Sequence, residues 1–417
     1  MNARIVRRAA QAAALTFLTV AAAAGPAWAQ RNAPTITISQ GAKELSEPFS
    51  VIRSLVELRD GRLLVFDSKE KELLLVDFAR DVQTQAAQQG AGPLEFNATG
   101  LMLRGPADSA VYYDIMQRRF LIFSPEGAPA RSLPYGGTAP LAMLALPQPS
   151  VIDAAGRVYG QAMGLRMPTG GLPGADGVMF ADTVVLSRYD FRTGRTDTVA
   201  KLLSMMAQSQ PRMEMTGAAI KMTVTAPDFR PNDVWAALPD GRVAVLGGGT
   251  YRVRFIAPGG QETLGPPVPH TLIPLTRAMQ QAAMDSIRGA LAGAQSATGR
   301  AMAEAAARSG GGPPPPMPKI EVDVKEPPRW ASHIPPYTAI QASPDGVLWV
   351  LVPIGVGDRS GHHDVLDGSG TLIARVQFAP GESLIGLGRG TVYTIRKDAD
   401  DLQYLRRYTL PAPIVRP

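Results

Sequence analysis

The sequence predicts an all-β protein: a six-bladed β-propeller closed by an N-terminal strand, with an α-helical insertion between blades four and five. Three observations point there. Short runs of alternating apolar residues are separated by tight turns. That unit recurs at intervals of roughly 45 residues, a spacing typical of propeller blades. One long stretch breaks the pattern with a helix-forming composition.

The unit is clearest in SLVELRDGRLLVFDSKEKELLLVDF, Ser54–Phe78. Leu55–Leu58 reads as one strand, Asp60-Gly61 as a two-residue hairpin turn, Arg62–Phe66 as the next strand and Glu72–Phe78 as a third. Asp-Gly suits such a turn because glycine tolerates positive φ freely and aspartate better than most residues. The unit returns in VIDAAGRVYGQAM (Val151–Met163), DVWAALPDGRVAVLGG (Asp233–Gly248) and YTAIQASPDGVLWVLV (Tyr337–Val352). Weaker copies span Leu101–Phe123 and Ser383–Asp398. Their turns fall at Asp60-Gly61, Ala107-Asp108, Ala155-Gly156, Asp240-Gly241, Asp345-Gly346 and Arg389-Gly390, which makes six repeats. Even spacing of many short strands implies a closed array, since each sheet packs only on its neighbours.

The last repeat offers three strands: Ser383–Leu387, Thr391–Arg396 and Gln403–Leu410. The N-terminal APTITISQ (Ala33–Gln40) has no partner nearby in sequence. Its expected place is the missing outer strand of the sixth blade, where it would cover an exposed sheet edge. Residues 271–330 form the insertion. Leu275 to about Arg308 is rich in alanine, methionine and glutamine and is expected to be a helix or helical hairpin over one face of the ring. Gly310–Pro316 ends it, because glycine and proline do not continue a helix cheaply. Met163–Asp182 reads as a long loop, and Met205–Thr225 as a further loop or short helix.

The first 29 residues have the layout of a cleaved secretory signal. Arg4, Arg7 and Arg8 precede an apolar run from Ala12 to Ala24, and Ala27-Trp28-Ala29 supplies small residues before Gln30. A periplasmic or secreted protein is therefore expected, with no membrane span in the mature chain; the Sec and twin-arginine routes both remain open. The chain has no cysteine, so disulfides, thiolate nucleophiles and Cys-ligated metals are excluded. The formal charge of +6 falls to +3 without the three leader arginines. The remaining basic residues are scattered, which argues against a nucleic-acid partner.

QGAGPLEF, Gln89–Phe96, looks at first like a phosphate-binding loop. Glu95 stands where a third glycine belongs, Pro93 removes an N–H donor, and a strand pattern follows instead of a helix. It reads better as a connector from the outside of blade one to the inner strand of blade two, with Phe96 as an apolar plug between them. GAGPLEF with the DGRLLVFD and SPDGVLWV segments resembles the bacterial exported six-bladed propellers related to NHL repeats, which carry a Gly-x-Gly-Pro-Gly-Glu-Phe/Tyr connector. Leu94 replaces the usual glycine. The resemblance covers nearly all of the mature chain except the helical insertion and implies fold and export, but little chemistry.

Propellers bind ligands at the mouth of the central channel, where loops enter the innermost strands. The repeat places Asn97, Gln148, Arg230, Asn232, Asp233, His333, Tyr337 and Glu382 in those loops, a mixed polar set suited to a ligand or protein partner. No catalytic residue and no metal ligand is assigned, and no cofactor is expected. The alternative is a metal-assisted hydrolase or lyase of the lactonase-like or NHL-like type. It would need Glu382, Asn97, Asn232 and Asp233 to converge on a divalent ion. In His362-His363-Asp364 only His362 and Asp364 can share a strand face, and two ligands do not make a site. No G-x-S-x-G element occurs, so a serine nucleophile has no motif to support it. A purely structural role in the cell envelope would call for a large apolar patch on the helix.

Overall fold

In a computed structural model, residues 33–97, 99–136, 147–162, 164–166, 179–204, 212–216, 219–308, 319–355, 361–412 and 414 are described. The leader 1–29, most of the Met163–Asp182 loop and Gly310–Pro316 lie outside them.

Six antiparallel sheets follow one another along the chain. Blade one is Ile52–Glu57, Leu63–Asp67, Glu72–Asp77 and Val82–Ala87. Blade two is Gly100–Arg104, Ala110–Asp114, Arg119–Phe123 and Pro129–Pro134. Blade three is Gln148–Ile152, Arg157–Gln161, Thr183–Asp190 and Arg195–Leu203. Blade four is Val234–Ala237, Val243–Leu246, Arg252–Ile256 and Glu262–Pro267. Blade five begins Ala339–Ala342, Leu348–Val352, His362–Leu366 and Leu372–Phe378, and blade six begins Glu382–Leu387, Thr391–Lys397 and Gln403–Thr409.

The cores show that these sheets close into a ring. Alternation sends successive side chains of a strand to opposite faces, and each face meets the next blade. Leu64 and Phe66 of blade one pack with Met102 and Tyr112 of blade two. Val111 and Phe120 of blade two pack with Val158 of blade three, and Tyr159 and Leu186 of blade three with Val243 and Val245 of blade four. Leu246 and Val253 then meet Leu348 and Val350, and Trp349 and Val365 meet Val392 and Tyr408. The circle completes where Leu63 and Val65 of blade one pack against Tyr393 and Leu405 of blade six.

Closure differs from the expected arrangement in one respect. Thr35–Ile38 does not join the C-terminal sheet: it runs parallel to Leu372–Phe378 as a fifth strand of blade five, with Thr35 opposite Arg375 and Ile38 opposite Phe378. The fourth strand of blade six is the two-residue Lys43–Glu44, antiparallel to Gln403–Thr409. Leu45 N donates to Leu405 O at 3.1 Å, and Phe49 and Gln403 exchange backbone hydrogen bonds of 2.9 and 2.8 Å. The N-terminal segment thus closes the ring with residues 43–49, after crossing from the neighbouring blade. Glu44 is fastened there by Arg396 at 2.9 Å and by Arg406. The hydrogen bond from Arg396, opposed by partial burial and aided by Arg406, holds the Glu44 carboxyl below its ordinary value.

The turns also differ in detail. Leu58 N bonds Arg62 O at 2.8 Å and Gly61 N bonds Leu58 O at 3.0 Å, so the loop has three residues, with Gly61 at φ +83°. This is a type I turn followed by a left-handed residue. Asp60 is not the left-handed residue; its Oδ1 accepts the Arg62 N–H at 3.0 Å and its Oδ2 the Arg62 Nε at 2.6 Å. Asp240 and Arg242 repeat that contact.

The connector is structural. Glu95 Oε2 accepts the Gly92 N–H at 2.7 Å, so the carboxylate occupies the place a phosphate would take. A Cβ on Gly90 would lie 2.0 Å from that same oxygen. Phe96 is 1% exposed and meets Phe66 and Tyr112 edge-on, filling the gap between blades one and two.

Arg277–Arg308 is one continuous α-helix of 32 residues. Its buried Met284 packs on Ala226 and Val324, with Ile287, Val322 and Trp330 beside them. Its support is an accessory sheet of Arg212–Thr216, Ala219–Thr225 and Lys319–Lys325. The segment expected as a loop or short helix is therefore largely a β-hairpin, and the return from the helix adds a parallel third strand to it. Among the described residues no helix is long and apolar enough to cross a membrane.

Candidate functional site

The six innermost strands surround a central channel, on which two adjoining chambers open. One, of about 750 Å³, is lined by residues from all six innermost strands and the turns that leave them. The other, of about 850 Å³, lies among blades five, six and one. Arg53, Gln341 and Ile385 line both and stand at their junction.

Local sequence explains part of this lining. Ladder register breaks between Ile52 and Ser54, between Pro149 and Val151, and between Leu384 and Gly386. Each break is a β-bulge, where one extra residue leaves the ladder and is re-aimed. The extra residues are Arg53, Ser150 and Ile385, and all three line the channel. Arg53 is exposed although it sits on an innermost strand.

The charges of the channel are unequal. Its carboxylates are Asp153 and Glu382. Asp153, 2% exposed, accepts Arg157 Nε at 2.7 Å and Tyr159 Oη at 2.9 Å. Glu382, 3% exposed, accepts Thr394 Oγ1 at 2.8 Å and Tyr408 Oη at 3.0 Å and is paired with Arg406. Both spend their charge inside the wall. The cations of the lining are Arg53, Arg104, Arg389 and Lys397; Lys397 reaches Asp401 at 3.2 Å. Arg53 has no ion-pair partner among the described residues. Trp235 and Ile340 add apolar surface in the first chamber.

Of the eight residues predicted from sequence, Glu382 lines the channel, with its oxygens already occupied as above. Asn97 accepts Tyr112 Oη on its carbonyl at 2.7 Å and donates its N–H to Asp114 at 2.8 Å, so its backbone anchors the connector. Gln148 opens the innermost strand of blade three opposite Gln161. Arg230 is exposed and pairs with Asp228 at 2.5 Å. Asp233 accepts the Leu203 N–H at 2.9 Å, tying blade three to blade four; its neighbour Asn232 is half-buried. His333 Nδ1 contacts Ser332 Oγ at 2.9 Å in the neck of the insertion. Tyr337 is 1% exposed and packs on Tyr251, with ring centroids 5.5 Å apart. Burial first, and Asp233 second, raise its hydroxyl above the ordinary value.

Of the four residues that a metal-assisted reaction would need, Glu382 is paired with Arg406 and Asp233 accepts the Leu203 N–H. Among the described residues, no group of three or more His, Asp or Glu is placed to hold a metal ion, so no step through a metal is derived. His362 and Asp364 do share a face, with Nε2 3.4 Å from Oδ1, while His363 points to blade six beside Trp349. Asp364 faces blade four, whose Tyr251 Oη donates to it at 2.9 Å, and Arg375 Nε of its own blade donates at 3.2 Å. Burial, then Asp364, push the Tyr251 hydroxyl well above its ordinary value.

The residue that sequence reasoning missed is Arg53. The one signal in the sequence is that Arg53 follows the apolar pair Val51-Ile52 just before the strand read from Leu55.

No family model matches the chain, and no curated protein matches it. Among solved structures, it is similar to a member of the DUF4221 family from Bacteroides vulgatus at 9% identity, covering 89% of this chain and 98% of that one, with a TM-score of 0.45. A gluconolactonase from Xanthomonas campestris is similar at 12% identity, covering 89% of each chain, with a TM-score of 0.42. A virginiamycin B lyase from Staphylococcus aureus is similar at 9% identity, covering 89% of this chain and 99% of that one, with a TM-score of 0.40. The propeller assignment rests on the sheets and inter-blade cores of this chain.

Proposed function

We propose that the protein is an exported, non-enzymatic binding protein that takes a small organic anion in its central channel. The observation that carries this reading is Arg53. It sits on a bulge at the junction of the two chambers, without an ion-pair partner among the described residues, while Asp153 and Glu382 are neutralised within the wall. A positively biased cleft with low-dielectric walls concentrates anions. Trp235, Ile340 and Ile385 supply apolar surface for the body of such a ligand. Export rests on the tripartite leader in the first 29 residues.

The test is an anisotropy titration with pyranine, a fluorescent arene bearing three sulfonates. The expected result is saturable binding at one site that weakens as salt rises. Absence of saturable binding would overturn the reading.

A further inference from the structure

We propose that a separate cavity between blades four and five is a second ligand site, taking an uncharged molecule with a compact apolar body and a hydrogen-bond-donating head such as an alcohol. The cavity has a volume of about 440 Å³ and shares no lining residue with either channel chamber. Its size lies within the range of small-molecule sites. The neck of the helical insertion forms one side, where Ile334 N bonds Ile273 O at 3.0 Å and Leu275 N bonds Ser332 O at 3.0 Å.

The walls are aliphatic and stiff: Ile273, Pro335, Pro336, Val352 and Pro353 line it, and prolines lose little conformational freedom when they form a wall. Ile354, also lining, is 52% exposed, so an apolar group is offered to solvent beside the cavity.

The polar groups fix the chemistry of the head. Asp364 is 1% exposed and is held by Tyr251 and by Arg375, whose Nη2 also donates to Pro269 O at 2.9 Å. The two opposite charges lie 3.2 Å apart. An anionic head would meet Asp364 and a cationic head Arg375, so an uncharged head has the lower desolvation cost. His362 also lines the cavity, its Nε2 3.4 Å from Asp364 Oδ1, and at the exposed mouth stand Thr271 and His270, of which His270 supplies an acceptor. Its Nδ1 lies 3.1 Å from Val268 O, and a carbonyl only accepts, so Nδ1 carries the proton. In the neutral ring Nε2 is left with a lone pair. A ligand O–H or N–H satisfies it; a ligand carbonyl does not.

The test is a ¹⁹F NMR titration of the full chain with three probes of one body: 4-fluorobenzyl alcohol, 4-fluorobenzoate and 4-fluorobenzylammonium. The alcohol is expected to bind saturably, and both charged probes at least about fivefold more weakly, because a charged head gives up its hydration and meets a like charge beside the pre-formed Asp364–Arg375 pair. His270→Phe keeps a planar ring and removes the acceptor, and should weaken the alcohol by a similar factor. Equal binding of the three probes, no saturable binding of the alcohol, or an unchanged affinity in a folded His270→Phe variant would each overturn the proposal. The comparison of probes stands on the unmodified protein, so it survives a variant that fails to fold. Arg53→Gln should leave the alcohol titration unchanged, which keeps failure of this site distinguishable from failure of the channel reading.

Discussion

Glu57 and Tyr393 are 336 positions apart in sequence, yet the Tyr393 hydroxyl donates to Glu57 Oε2 at 2.8 Å. Thr391 Oγ1 donates to the same oxygen at 2.5 Å. Both partners belong to blade six and the acceptor to blade one, so this buried cluster is a polar seam across the point where the ring meets itself. Burial first, then the Glu57 charge, raise the Tyr393 hydroxyl above its ordinary value, which keeps it a donor.

Glu57→Ala leaves two buried hydroxyls without an acceptor. The expected cost is about 2–4 kcal/mol, since hydrogen bonds to a charged group are worth more than neutral ones and the orphaned donors stay desolvated. Urea unfolding at fixed pH checks it; a change below about 0.5 kcal/mol, typical of surface substitutions, contradicts the seam.

Closure by residues 43–49 and the added strand at 35–38 make different demands. A chain beginning at Gly41 loses a parallel edge strand on blade five but keeps the blade-six pairing, and should unfold cooperatively at a lower midpoint. A chain beginning at Ser50 loses the pairing to Gln403 and Leu405 as well and opens the ring. It should lose cooperativity and expose apolar surface to a hydrophobic dye. Equal behaviour of the two truncations would contradict the assigned closure.

His363 gives stability a pH dependence. Burial first, and its neighbour His362 second, depress its pKa from 6.5 to about 4 despite Asp364. Below pH 6.5 the unfolded chain takes up a proton that the folded chain refuses, so stability is present above that value and is lost as pH falls toward 4. The full effect is on the order of 3 kcal/mol at 1.36 kcal/mol per unit. His363→Phe should flatten the slope of unfolding free energy between pH 4 and 6.5; an unchanged slope contradicts the buried neutral ring.

Much of the ring was legible because turn residues and alternation are local. The six left-handed turn positions, five glycines and Ala107 at φ 51°, mark the first hairpin of every blade. Closure was harder. Thr35–Ile38 alternates like an edge strand, but pattern does not say which edge it joins, and the true fourth strand of blade six is two charged residues with no apolar signature. The hairpin Arg212–Thr216 with Ala219–Thr225 was hidden by methionine, which suits helix and sheet alike.

The candidate site was less legible for a related reason. Sequence placed polar residues in the loops that precede the innermost strands, and those residues largely spend their polar groups on backbone or core contacts, as Asp233 does on Leu203. The channel lining instead includes Arg53, Ser150 and Ile385, residues that bulges push out of the ladder. A bulge such as that at Arg53 adds one residue without changing composition, so periodicity alone does not reveal it.

Anion binding in the channel turns on Arg53, and the most direct test is the pyranine dissociation constant in Arg53→Gln beside a control, Arg80→Gln, whose side chain is 82% exposed. The expected result is about tenfold weaker binding for Arg53→Gln, near 1.4 kcal/mol, with Arg80→Gln unchanged. Equal dissociation constants in the two variants would contradict the assignment of the channel as an anion site.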